Sequence, residues 1–173
     1  GPPGSYAVGL RGACRGGAGG GRWAGGGVVD GGVTNRADLA VATALRVGGV
    51  TQACDVDAVE VDLYRANPIE ADDTSSVRVV SADGRSFGFG LTLCAPERSP
   101  ARVLVLGTRG ELTLFYETDR IEVRTPEGEW SLQSERTDLL VDLLTARRDP
   151  AARLRCDVRD TGAYMRVLEA VRT

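Results

Sequence analysis

Hydrophobic and polar positions change their spacing twice along the chain. Residues 36–47 carry apolar side chains at a helical period and are followed by Gly48-Gly49, which predicts a helix that ends there. The residues expected to share one face of this helix are Leu39, Ala42, Thr43 and Val47, with Leu45 beside them. After residue 132 the helical period returns. It predicts one helix carrying Leu139, Leu140, Leu143 and Leu144, capped by Ser134 or Thr137, and a last helix over 158–171.

Between these helical segments the period is two, which is typical of strands that are buried on one face. The predicted strands lie at 57–65, 75–81, 86–94, 102–106, 110–116, 120–125 and 129–132. Short turns separate most of them, including Asp83-Gly84, a pair that accepts the backbone of a hairpin turn. The order predicts an α+β fold: a single, largely antiparallel (mixed) sheet of about six strands, with helices packed on one face and the other face open for association.

The strand at 110–116 indicates that the open face of the sheet is an association surface. Leu112, Leu114 and Tyr116 point one way, whereas Thr113 and Phe115 point the other, so neither face is fully polar. An apolar surface that water does not favour indicates a partner. We therefore expect a homodimer that forms through the open face of the sheet.

The first 35 residues hold a weak strand at 5–14 and then a glycine-dense loop. Its last part, residues 25–35, contains Asp30 and leads into the first predicted helix. Glycines let the backbone approach a ligand closely, and a helix N-terminus offers free N–H groups to it. This loop is the predicted site: Asp30 is the candidate catalytic residue, and the candidate substrate-binding residues are Arg22, Trp23, Thr34 and Asn35.

Each candidate also has a structural interpretation. Asp30 is the type of residue that organises a tight turn, Trp23 can anchor the loop to the core, and Thr34 or Asn35 can cap the helix. The glycines match the dinucleotide fingerprint G-x-G-x-x-G only weakly, with no preceding buried strand. No cofactor-binding residues are therefore assigned.

Composition narrows the possible functions. The chain of 173 residues is expected to form one domain, and its net charge of −3 argues against a nucleic-acid or membrane-surface partner. No apolar run is long enough for a membrane helix and no signal peptide begins the sequence, so a cytoplasmic location is expected. Histidine and lysine are both absent. Acid–base chemistry by this chain alone would therefore depend on Asp, Glu, Tyr or Cys.

Cysteines and acidic residues do not predict a metal site. Cys14, Cys54, Cys94 and Cys156 are widely spaced, which favours reduced and mostly buried thiols. Glu70, Asp72 and Asp73 are interpreted as a solvated segment that leads into a strand, rather than as a cation site.

Five segments in this order resemble the C-terminal domain of the glucose–fructose oxidoreductase, inositol dehydrogenase and rhizopine-catabolism (Gfo/Idh/MocA) family. They are the loop at 25–32, the strand approach at 72–77, the hairpin at 106–112, the start of a helix at 135–140 and the final helix at 167–171. The resemblance implies a partial oxidoreductase whose N-terminal Rossmann domain is absent from this sequence. NAD or NADP would then be bound in a complete enzyme, and by this chain alone neither would be.

The resemblance also implies roles for individual residues. Asp30 falls on the family's acidic catalytic position, and the family's histidine, four residues later, falls on Thr34. Two functions follow. One is the substrate-facing, dimerising domain of an NAD(P)-dependent oxidoreductase for a sugar- or polyol-like substrate, inactive alone. The other is a free-standing, non-catalytic dimerisation or protein-binding module. The missing histidine favours the second, whereas the retained loop and Asp30 favour the first.

Overall fold

The structure, a computed structural model, describes residues 38–68, 72–97 and 99–172. Its α-helices are α1 (Asp38–Val47), α2 (Leu139–Arg148) and α3 (Gly162–Arg172), with short 3₁₀ helices at Ala53–Asp55 and Val158–Thr161. Its strands are β1 (Val56–Tyr64), β2 (Thr74–Ser81), β3 (Ser86–Thr92), β4 (Val103–Gly107), β5 (Gly110–Phe115), β6 (Arg120–Thr125) and β7 (Gly128–Gln133). Each of the seven strands predicted between residues 57 and 132 is found within two residues of its expected ends.

The strands form two antiparallel meanders, one in the order β1-β2-β3 and one in the order β4-β5-β6-β7. This confirms the α+β class but corrects the prediction of a single sheet of about six strands. Short turns join β2 to β3 and the four strands of the second meander, whereas residues 65–73 separate β1 from β2. The connection between β3 and β4, residues 93–102, contains Pro96 and Pro100, which lack the N–H group that a ladder requires. The hairpin at Asp83-Gly84 is present, with Gly84 at a φ of 83°.

The core lies where two helices meet the three-stranded sheet. Alternate residues of β2 and β3 are buried, as the period of two predicted. The principal core residues are Ala40, Val41, Ala44 and Leu45 of α1, Val77, Val79, Phe87 and Phe89 of the strands, and Ala163 and Val167 of α3. In the described part of the chain, no helix is long and apolar enough to cross a membrane.

The buried face of α1 differs from the predicted one. Leu39 and Val47 are exposed, while Ala40 and Ala44 are buried. The buried stripe is Ala40, Val41, Ala44 and Leu45, and its two alanines let the helix approach the sheet closely. It is displaced by about one residue from the face that the sequence predicts.

The cap of α2 also differs from the predicted one. Asp138, rather than Ser134 or Thr137, is the N-cap, and its side chain accepts hydrogen bonds from the N–H groups of Leu140 and Val141. A carboxylate in this position satisfies two of the free N–H groups of the first turn.

Candidate functional site

The predicted catalytic loop lies outside the described residues. Asp30, with Arg22, Trp23, Thr34 and Asn35, belongs to the segment before α1, and these assignments remain predictions. The weak strand expected at 5–14 is in the same segment. The structure does describe the helix into which the loop leads.

Helix α1 is firmly held at its C-terminal end. The Gly48 N–H donates to the Ala44 carbonyl at 2.9 Å, and Gly49 has a φ of 70°, a conformation that favours glycine. Arg85, at the end of the β2–β3 turn, donates to the Gly48 carbonyl, and a side chain at Gly48 would collide with the Phe87 ring. These contacts fix the C-terminal end of α1 to the sheet.

A buried carboxylate joins the end of β1 to the start of β2. Asp73 is only 1% exposed, which corrects the prediction of a solvated acidic segment. It accepts hydrogen bonds from the N–H groups of Ala66 (3.0 Å) and Asn67 (2.8 Å) and from the Asn67 side-chain amide (2.9 Å). These donors, the Ala66 N–H first, lower the pKa of Asp73 from its ordinary value of 3.8 to about 2. Both of its oxygens are occupied, so Asp73 stabilises the loop and is not a general acid or base.

The described cysteines are single thiols. Cys54, Cys94 and Cys156 are free, and all three are exposed, which corrects the prediction that the thiols are mostly buried. Cys94 lies beside the Asp73 loop and accepts a hydrogen bond from the Asn67 amide at 3.2 Å. Within the described ranges, no group of three or more His, Cys, Asp or Glu side chains is arranged to hold a metal ion.

The four-stranded sheet has two different faces, because residues paired directly across antiparallel strands point to the same side. Its core-side face carries Val103, Val105, Leu112, Leu114, Ile121, Val123, Trp130 and Leu132. Val103 on this face is buried and Leu114 packs on the core, whereas Trp130 and Leu132 are each 48% exposed. The apolar face therefore extends beyond the part that the core covers.

The opposite side, here called the charged face, carries Leu104, Leu106, Glu111, Thr113, Phe115, Arg120, Glu122, Arg124, Glu129 and Ser131. Arg124 on β6 forms ion pairs with Glu129 on β7 and Glu111 on β5. The hydrogen bond to Glu129, followed by the charge of Glu111, raises the pKa of its guanidinium. The guanidinium of Arg120 lies 4.4 Å from the centre of the Phe115 ring. The prediction that Thr113 and Phe115 face away from Leu112 and Leu114 is confirmed.

Helix α2 exposes its leucine side chains to solvent. Leu139, Leu140, Leu143 and Leu144, here called the leucine stripe, are between 43% and 64% exposed, and no residue of α2 is buried. Among the described residues, this is the most continuous apolar helix surface in contact with solvent. This exposure could not be predicted from the sequence, because the same leucine spacing is typical of a helix packed in a core.

Comparison with known proteins identifies the fold. No family model and no curated protein matches the sequence. Three similar solved structures are the UDP-N-acetylglucosamine 3-dehydrogenase GnnA of Acidithiobacillus ferrooxidans (12% identity, TM-score 0.65), an oxidoreductase of Agrobacterium radiobacter in complex with NAD⁺, L-tartaric acid and magnesium (15%, 0.68), and the WlbA dehydrogenase of Bordetella pertussis in complex with NADH and UDP-GlcNAcA (15%, 0.60).

Each of these matches covers 98% of this chain but only 51% to 54% of the solved structure. The chain therefore spans about half the length of the structures that it matches. The structural neighbours are oxidoreductases of the Gfo/Idh/MocA type, as the sequence resemblance implied. The 173 residues have the fold of part of such an oxidoreductase.

Proposed function

We propose that this chain is the substrate-facing, dimerising domain of an NAD(P)-dependent oxidoreductase that acts on a sugar- or polyol-like substrate. A nucleotide-binding domain would complete the enzyme. The observation that supports this most is the structural match, which covers nearly all of this chain and about half of oxidoreductases solved with NAD⁺ or NADH. A UDP-sugar ligand in one of them supports the substrate class.

In this proposal the loop before α1 holds the substrate. Asp30 takes part in the acid–base chemistry at a substrate hydroxyl, and Thr34 and Asn35 donate hydrogen bonds to the substrate. Trp23 stacks on a sugar ring, while Arg22 pairs with a carboxylate or phosphate group. The rigid attachment of α1 to the sheet supports this arrangement, because a loop gains precision from the element to which it is joined.

The test uses the protein as its natural host makes it. Binding of NADH and NADPH is measured first, followed by oxidation of UDP-N-acetylglucosamine, UDP-sugar acids and free polyols. Asp30→Asn is expected to lower turnover by about 10²–10⁴-fold, the usual range for the loss of a general acid or base. Affinity for the nicotinamide nucleotide stays unchanged.

Asp57→Asn is the matched control, because Asp57 is an exposed carboxylate on β1. Its turnover is expected to equal that of the unaltered enzyme. Equal turnover in both variants would remove Asp30 from the mechanism.

We place the proposed dimer contact on the charged face. Leu104, Leu106 and Phe115 on this face are half-exposed, and charges of both signs lie beside them. Thr113→Arg inserts a bulky charge at the centre of this face and is expected to yield monomers in light scattering. Thr108→Arg, at the exposed β4–β5 turn, is the control. Leu114 is unsuitable for this test because it packs on the core. A dimer that survives Thr113→Arg would exclude this face.

The second candidate function is a free-standing module that binds a protein. The exposed leucine stripe of α2 favours it, because such a surface can receive a partner without any chemistry. Nucleotide binding by the host-made protein separates the two candidates. Affinity for NADH or NADPH supports the oxidoreductase, and its absence supports the module.

A further inference from the structure

Helix α2 is amphipathic, but its leucines face solvent and not the described part of the chain. The leucine stripe occupies positions i, i+1, i+4 and i+5, which share one side of a helix. The other side carries Asp142, whose side chain is 14% exposed and accepts a hydrogen bond from the Arg155 N–H at 3.0 Å. Asp142 and Ala146 are the half-buried residues of α2, and the Asp142 bond reaches the connection that follows the helix. The leucine stripe is therefore left facing solvent.

A helix of this length is not expected to be stable in water without packing against another surface. α2 has ten residues, and isolated helices shorter than about 12–15 residues are marginal in water. Its ends are well formed: Asp138 caps the first turn, and Arg147 and Arg148 complement the dipole in the last. A well-capped short helix with an uncovered leucine stripe is typical of an element that becomes stable by packing against a partner.

Three features on the molecule indicate which partner. The solved structures with this fold are about twice as long as the chain, so the fold occurs beside a second part of similar size. The charged face, where the dimer contact is proposed, is formed by other residues than the stripe, so a second copy has another place to bind. Arg147 and Arg148 lie at the end of the stripe and are exposed, which favours a partner with an acidic rim around an apolar groove.

We infer that the leucine stripe of α2 is the docking surface for the nucleotide-binding domain of the same enzyme. The inference rests on the proposed function and adds to it the contact that joins the two domains. Packing of the stripe against that domain would fix the position of the nucleotide relative to the substrate loop. The two basic residues would orient the contact.

The experiment uses the host-made protein and compares two variants. Leu140→Glu/Leu144→Glu places two charges in the stripe, and Val158→Glu is the control at a site that is 80% exposed. The double variant is expected to increase amide exchange in α2 by about tenfold or more, as expected for a segment that loses its packing. It should also separate one calorimetric transition into two, whereas Val158→Glu leaves both properties unchanged.

The outcomes distinguish failure of this inference from failure of the proposed function. If the unaltered protein binds NADH and the double variant keeps the exchange and the single transition, the stripe is not the domain contact. If the double variant converts a dimer into monomers while two-domain melting stays cooperative, the stripe receives a second copy and the inference is wrong. If the unaltered protein binds no nicotinamide nucleotide, the proposed function itself fails.

Discussion

Helices α1 and α2 have the same length and a similar share of apolar residues, but they use them in opposite ways. Val41 and Leu45 of α1 are at most 1% exposed, whereas Leu140 of α2 is 64% exposed. α1 meets a sheet, and its alanines allow a close approach. α2 turns a hydrogen-bonded carboxylate inwards. The difference teaches that an apolar period identifies a helix with a partner, while tertiary contacts alone show whether that partner lies in the same chain.

The largest expected effect on stability comes from replacing one leucine by alanine in each helix. In the chain of 173 residues, Leu45→Ala should lower the free energy of unfolding by about 2–5 kcal/mol, the usual cost for a buried leucine. Leu144→Ala, at an exposed site, should change it by no more than about 0.5 kcal/mol. Denaturant unfolding measures both. Equal losses in the two variants would contradict the comparison.

A host-made protein that includes the proposed nucleotide-binding domain allows the same substitutions to be compared again. If the nucleotide-binding domain covers the leucine stripe, Leu144→Ala there should cost more than in the chain of 173 residues, because the side chain is then removed from water. Leu45→Ala should cost the same in both proteins, since its surroundings do not change. An equally small change in the free energy of unfolding for Leu144→Ala in both proteins would show that the nucleotide-binding domain does not cover the stripe.

Two carboxylates allow the same comparison between a buried and an exposed region, with a smaller expected effect on stability. Asp73 is buried and accepts hydrogen bonds from Ala66 and Asn67, whereas Asp142 attaches the exposed α2 to Arg155. Asp73→Asn places an amide where two N–H donors point, so it should lower the free energy of unfolding by about 1–3 kcal/mol. Asp142→Asn should instead increase amide exchange in α2 while global stability changes less. The reverse order of stability losses would contradict this assignment.

The smallest effect is a dependence of stability on pH. The pKa of Asp73 is lowered from 3.8 to about 2 in the folded state, so its contribution is fully present above pH 3.8 and is lost as the pH falls through about 2. Unfolding measured between pH 4 and pH 2 should therefore depend less steeply on pH in Asp73→Asn than in the unaltered chain. Parallel pH profiles would show that Asp73 is not the group responsible.

Much of the fold follows from the sequence, because the period of strands and the turn residues are local signals. The strands of both meanders and the Asp83-Gly84 hairpin were predictable from them. The division into two sheets was not, since strand pairing across residues 93–102 depends on contacts that no local pattern contains. The buried face of α1 was missed because alanine carries a weak hydrophobic signal but permits close packing.

Fewer of the predictions about the candidate site are confirmed. Asp30 and the other loop candidates remain predictions, since they precede the described residues. Asp73 was assigned to solvent because it lies among acidic neighbours, while its burial depends on N–H groups of residues 66 and 67, which only folding brings to it. The exposure of the leucine stripe could not be predicted for the same general reason: sequence spacing shows periodicity but not which surface lies opposite the helix.

The most decisive measurement is the intact mass of the host-made protein, determined together with its affinity for NADH and NADPH. If the chain is part of an oxidoreductase, we expect a species heavier than 18.3 kDa by a further domain, which binds a nicotinamide nucleotide. A species of 18.3 kDa that binds neither nucleotide would contradict it and would favour the free-standing module.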